Sequence, residues 1–90
     1  MATNMTDTYG TKAEAITAHD TNNVEPGFLY IGGAGNVQVV MADRSLADGA
    51  TAASADKTIF TALAVGVVHP IRVKRVLDTS TTATNIVIVR

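Results

Sequence analysis

Three groups of residues have the types and spacing that could carry chemistry. Gly32-Gly33-Ala34-Gly35 is rich enough in glycine to suggest a phosphate cradle, His19 and His69 are the two imidazoles, and Arg72, Lys74 and Arg75 put three of the seven cations within four residues. The glycine run lacks the context of a nucleotide loop. A dinucleotide fingerprint needs Gly-x-Gly-x-x-Gly opening a helix, and a P-loop closes on Gly-Lys-Ser or Gly-Lys-Thr. Here a strand-like Asn36-Val37-Gln38-Val39-Val40-Met41-Ala42 follows, so the run reads as a turn in which glycine supplies positive φ.

The histidines have no Asp or Glu at metal-ligand spacing. Ser and Thr are plentiful, but with two histidines no nucleophile, base and acid stand in a triad-like order. The acids Asp7, Glu14, Asp20, Glu25, Asp43, Asp48, Asp56 and Asp78 are dispersed through the N-terminal segment and the turns, where solvated carboxylates and turn-formers belong. The expectation is no enzyme, with no catalytic residue, no metal and no cofactor. The cationic group is the remaining feature. In a strand, Arg72 and Lys74 share one outward face, and a bulge would turn Arg75 to join them. Such a face blunts a sheet edge or meets an acidic surface on a partner protein. A formal net charge of −1 argues against a general nucleic-acid binder, which must neutralise many phosphates.

The elements that position these residues are β-branched runs separated by Gly, Pro, Asp and Thr clusters, the pattern of an antiparallel β domain. Phe28-Leu29-Tyr30-Ile31 and Asn36-Val37-Gln38-Val39-Val40-Met41-Ala42 are predicted to form a hairpin across the glycine run. Residues 43–56 are small and polar, a long surface loop with a turn at Asp48-Gly49. A third strand is expected over residues 57–63 and a fourth over residues 69–77. In the fourth, Ile71 and Val73 alternate with Arg72 and Lys74; the phase then slips, and a bulge between Lys74 and Val76 would explain it. The chain ends in Asn85-Ile86-Val87-Ile88-Val89-Arg90. Ile86 and Ile88 face one way, Val87 and Val89 the other, so this strand needs cover on both sides.

Residues 1–24 show no sustained period and read as an extended arm, with a short helix allowed over residues 12–18. The predicted architecture is therefore all-β: a small antiparallel β-sandwich or open barrel of about five to six strands over residues 25–90, preceded by the arm. Only four residues are aromatic, and there is no cysteine or Trp. A core of Val, Ile, Leu and Ala in a chain this short leaves an isolated monomer marginal. With no disulfide to help, homo-oligomerisation is the expected staple, and Val87 and Val89 are its candidate contacts. The start shows no secretory pattern, and the longest apolar run, residues 62–68, is too short for a bilayer. A soluble protein without membrane or nucleic-acid partners is expected.

Three segments together carry a resemblance. Glu25-Pro26-Gly27-Phe28-Leu29-Tyr30-Ile31-Gly32-Gly33-Ala34-Gly35-Asn36-Val37, then His69-Pro70-Ile71-Arg72-Val73-Lys74-Arg75-Val76-Leu77, then Thr81-Thr82-Ala83-Thr84-Asn85-Ile86-Val87 resemble small virion proteins of tailed bacteriophages. The similarity is to capsid decoration and head-spike base proteins, including those of gene transfer agents, with their Y-x-G-G-x-G segment, G-x-x-x-P-[IV]-[RK]-V strand and T-T-A turn. It spans residues 19–90. The Ala-rich stretch near residues 50–56 departs from it by lengthening a loop. The resemblance implies a capsid decoration (cement) protein on the outside of a phage head in the virion, assembled in the host cytoplasm. Its implied partners are the major capsid protein and further copies of itself, a trimer being favoured over a pentamer. A vertex head-spike base is the alternative within this class, and a small ligand-binding β module the alternative outside it. Arg72, Lys74, Arg75, Val87 and Val89 are the candidate interface.

Overall fold

The β-branched runs become six strands in the computed structural model, which describes residues 12–90. They are β1 (Ala13–Ala15), β2 (Gly27–Gly33), β3 (Val37–Met41), β4 (Thr58–Phe60), β5 (Val68–Leu77) and β6 (Thr84–Val89). All neighbours pair antiparallel in one sheet of order β1-β6-β2-β5-β3-β4. The all-β expectation holds: a 3-10 turn at Ser54–Asp56 is the one helical element among the described residues.

The predicted hairpin between β2 and β3 does not form, because β5 lies between them. Both are antiparallel to β5, so β2 and β3 run in the same direction. Tyr30 pairs with Val68 at one end of β5, and Gln38 pairs with Leu77 at the other. Along a straight β5 those two points would lie roughly 30 Å apart. Yet Gly33 and Val37, the ends to be joined, are only four residues apart, a reach of about 14 Å at most. The sheet must therefore roll, with β5 bent so that its first half pairs with β2 and its second half with β3. Bulges supply the bend. Pro70 and Ile71 are extra between the pairs Leu29/His69 and Phe28/Arg72, and Lys74 is extra between Met41/Val73 and Val40/Arg75.

Rolling encloses Leu29, Ile31, Val37, Val39, Val73, Val76, Ala83, Ile86 and Ile88 in one core. A second, smaller cluster of Val40, Leu77 and Ala52, flanked by Leu46, lies on the opposite side of the β3–β5 pair under the long 43–56 loop. That loop is thus a lid on its own sheet, anchored by the buried Ala52. The roll closes at Asn36, whose carbonyl accepts from Thr82 N (2.8 Å) and Ala83 N (3.1 Å) while its own N–H donates to Thr82 Oγ1 (2.9 Å). Gln38 N donates to Thr81 Oγ1 at 3.0 Å. The Thr-Thr-Ala turn therefore ties the start of β3 to the start of β6.

Part of the segment expected as an arm bonds to the sheet. Residues 12–24 belong to the domain, and an arm over residues 1–11 lies outside the described residues. In place of the short helix over residues 12–18 stands β1, registered against β6 at Ala13/Val89, Glu14/Ile88 and Ala15/Val87. Isolated helices this short are marginal in water, and ladder bonds to an apolar strand outweigh a weak helical preference. The third strand is also shorter than residues 57–63: β4 ends at Phe60, and Ala62 takes φ +56°, which breaks the extended run.

Candidate interaction face

Directly paired residues of an antiparallel ladder project from the same side of the sheet. Following the register across four strands gives two rows on the outer side: Ala13, Val89, Phe28, Arg72, and Ala15, Val87, Tyr30, Val68. In the intervening row Leu29 and Ile88 point into the core and are fully buried. Phe28, Tyr30, Val87 and Val89 are half-buried, while Ala13, Ala15, Val68 and Arg72 are exposed. Val68 keeps 47% of its surface in contact with solvent. At ~4.8 Å between strands and ~3.3 Å per residue, the two rows span roughly 14 Å across the strands and roughly 7 Å along them between Cα positions. At its corner the Arg72 guanidinium sits 4.9 Å from the centroid of the Phe28 ring, a cation–π contact of about 0.5–1 kcal/mol at an exposed site.

Three of the five candidate residues, Arg72, Val87 and Val89, thus fall on one face, and Phe28 and Tyr30 complete it. Sequence reasoning passed over these two aromatics, although they alternate with Leu29 and Ile31 at the strand period. Lys74 stands apart: it is the bulged residue, half-buried, and its Nζ donates to the Arg44 carbonyl. Arg75 does not join an outward cationic face. It pairs with Val40 and lies on the side covered by the 43–56 loop, with no solvent exposure.

The buried Arg75 is held by oxygens from two segments. Its Nε donates to Asn23 Oδ1 at 2.7 Å, Nη1 to the carbonyls of Ala50 (2.6 Å) and Asp20 (3.1 Å), and Nη2 to the carbonyl of Ala47 (3.1 Å). Around it the same two segments bond each other. Asn23 N donates to Asp48 Oδ1 at 2.7 Å, Asn23 Nδ2 to the Leu46 carbonyl at 2.9 Å and Gly49 N to the Thr21 carbonyl at 2.7 Å. Asp20 turns its carboxylate to Thr79, accepting from the backbone N (2.9 Å) and Oγ1 (2.8 Å). Those two bonds, the backbone one foremost, hold the Asp20 carboxyl below its usual range. Arg90, the other cation near the face, is committed to Glu14 (2.8 Å) and Glu25 (3.1 Å).

The remaining chemical candidates stay apart. His19 Nδ1 accepts from Thr21 N at 3.2 Å, and His69 Nε2 donates to the Ala64 carbonyl at 2.9 Å. Among the described residues no three of His, Cys, Asp and Glu gather as a metal site. No helix there is long and apolar enough to cross a membrane. An open groove of about 390 Å³ lies where β3 leaves β5, lined by Met41, Ala42, Asp43, Pro70, Ile71 and Arg72. It brings two charged groups to a largely apolar wall. Compared with known proteins, the chain matches no family model, no curated protein and no solved structure.

Proposed function

We propose that this chain is a structural assembly module, a capsid decoration protein of a tailed-phage particle that docks on the shell, in several copies, through the outer face of β1, β6, β2 and β5. The observation that carries the reading is the pair of apolar rows Ala15-Val87-Tyr30-Val68 and Ala13-Val89-Phe28, with Arg72 at their corner. An apolar centre with a cation at its rim is the anatomy of a protein contact: the centre supplies burial, and the charge selects register. The resemblance of residues 19–90 to decoration and spike-base proteins supports the choice of a phage particle. The major capsid protein is the proposed partner, the exposed head surface the proposed location, and copies of the chain on the shell the proposed oligomer.

The test is reconstitution on phage heads stripped of decoration protein, with occupancy read by quantitative mass spectrometry. Tyr30→Ser combined with Val87→Ser removes the centre of the face without touching the core. Occupancy should fall at least tenfold while the circular dichroism spectrum is kept. Unchanged occupancy would remove this face from the contact.

A further inference from the structure

Strand β6 carries the run Ile86-Val87-Ile88-Val89 and has a neighbour on each side: β2, seven residues long, and β1, only three. Lys12 and Arg90 exchange both backbone bonds, Lys12 N to Arg90 O at 2.8 Å and Arg90 N to Lys12 O at 2.7 Å, and Ile16 N donates to Ile86 O at 3.1 Å. Antiparallel alternation then makes Glu14/Ile88 the next hydrogen-bonded pair. The β1 side of β6 is thus closed by residues 12–16, whose β1 side chains are exposed and add little burial of their own. Glu14 pairs with Arg90, Ile16, Ala18 and Val24 pack against the core, and further bonds hold the segment along its length. His19 N donates to Val76 O at 2.9 Å, Val24 N to Lys74 O at 2.7 Å, and Arg75 grips Asp20 and Asn23 from below.

We infer that residues 12–24 form a strap that closes the β6 edge against pairing with a second copy of this chain, and that Arg75 is its latch. A buried guanidinium is tolerated only while its hydrogen bonds are complete. Two of its four acceptors come from the strap and two from the 43–56 loop, so neither segment leaves without stranding the charge. Strap and loop therefore dock as one unit. When the unit opens, β6 presents the N–H and C=O groups of Ile86, Ile88 and Arg90 on an Ile-Val-Ile-Val strand. Such an edge pairs readily with an identical strand. The inference concerns the edge of the sheet and stands whether or not the outer face docks on a shell.

The experiment is amide hydrogen exchange on the full chain carrying Arg75→Met, which keeps the apolar stem and removes the hydrogen-bonding head. Alternation sorts the β6 amides: Ile88 and Arg90 point to the strap, while Val87 and Val89 point to β2. Latch loss should speed exchange at Ile88 and Arg90, on the order of tenfold or more, leaving Val87 and Val89 protected as a local opening requires. The mass by light scattering should rise with concentration. A cross-strand disulfide from Ala13→Cys and Val89→Cys should return both readouts to their original values. Equal acceleration at all four amides, or self-association that persists with the disulfide closed, would overturn the latch. Asn23→Ala, which removes one acceptor and leaves Arg75 in place, reads the same four amides should Arg75→Met not fold.

Discussion

Gly35 sits where the chain turns from β2 into β3, at φ +152° against the Thr-Thr-Ala turn, and a Cβ there would overlap Ala83 N and lie 2.6 Å from Thr82 C. Gly49, at φ +88°, has open space around it. The two glycines separate crowding from backbone preference. Gly35→Ala should cost about 1–3 kcal/mol, as overpacking against backbone does. Gly49→Ala should cost about 1 kcal/mol or less, because the left-handed penalty is offset by a stiffer unfolded chain. Urea unfolding of the two variants checks the order. Asp20 gives a pH-dependent counterpart. Its carboxyl is held below the ordinary value of 3.8 by the Thr79 bonds, so its contribution is present above that value and fades as pH falls through the lower folded one. Asp20→Asn should therefore flatten the stability curve below about pH 4, and an acid titration of the melting temperature that keeps its slope would exclude this residue as the source. Arg75 marks the limit of reading residues singly. The slip in alternation after Val73 was legible, and a bulge is there, at Lys74. That Arg75 then points inward was not legible, because its acceptors are mostly carbonyls of residues 20–50, brought to it only by the roll of the sheet.

Strand β6 shows how an element assigns different tasks to neighbouring residues. Ile86 and Ile88 face the core and Val87 and Val89 the outer rows. Ile88→Asp should unfold the domain, since a carboxylate without partners in the core costs several kcal/mol. Val87→Asp should leave the chain folded, with a melting temperature within a few degrees, and act on attachment. A Val87→Asp variant that unfolds as readily as Ile88→Asp would mean the outer rows are structural cover. Strand types and most of their positions were legible from alternation and β-branched runs. Pairing was not. Four small residues between two apolar runs suit a hairpin, and only the pairs Tyr30/Val68 and Gln38/Leu77 reveal that they join strands paired to opposite ends of a bent β5. Residues 12–24 hid for a related reason: with so few large apolar side chains, they are ordered by ladder bonds and by a buried cation supplied from far along the chain.

At the scale of the whole molecule, the proposed docking would divide its work between charge and apolar surface. Arg72 is the exposed cation on the outer rows, whereas Lys74 spends its amine on the Arg44 carbonyl, Arg75 is buried, and Arg90 is paired with two glutamates. The expected cationic strand face thus reduces to one guanidinium at the corner of an apolar patch. A rim ion pair is worth only about 0.2–1 kcal/mol, too little to hold a single copy. If each copy adds a second contact to its neighbours, small terms multiply into retention. Salt should then weaken attachment modestly, since exposed charges are screened over about 8 Å at physiological ionic strength, while the apolar rows keep a salt-independent remainder. Arg72→Ser should lower occupancy at low salt and flatten its salt dependence, and Lys74→Ser should leave that dependence unchanged. Arg72→Lys separates the two uses of the guanidinium. It keeps the charge but gives up the flat stacking on Phe28 that favours arginine at such a site, so it should preserve the salt slope at reduced occupancy. Occupancy measured on particles from low to high salt decides between these outcomes. Equal slopes for the Arg72→Ser and unsubstituted chains would assign the contact to the apolar rows alone.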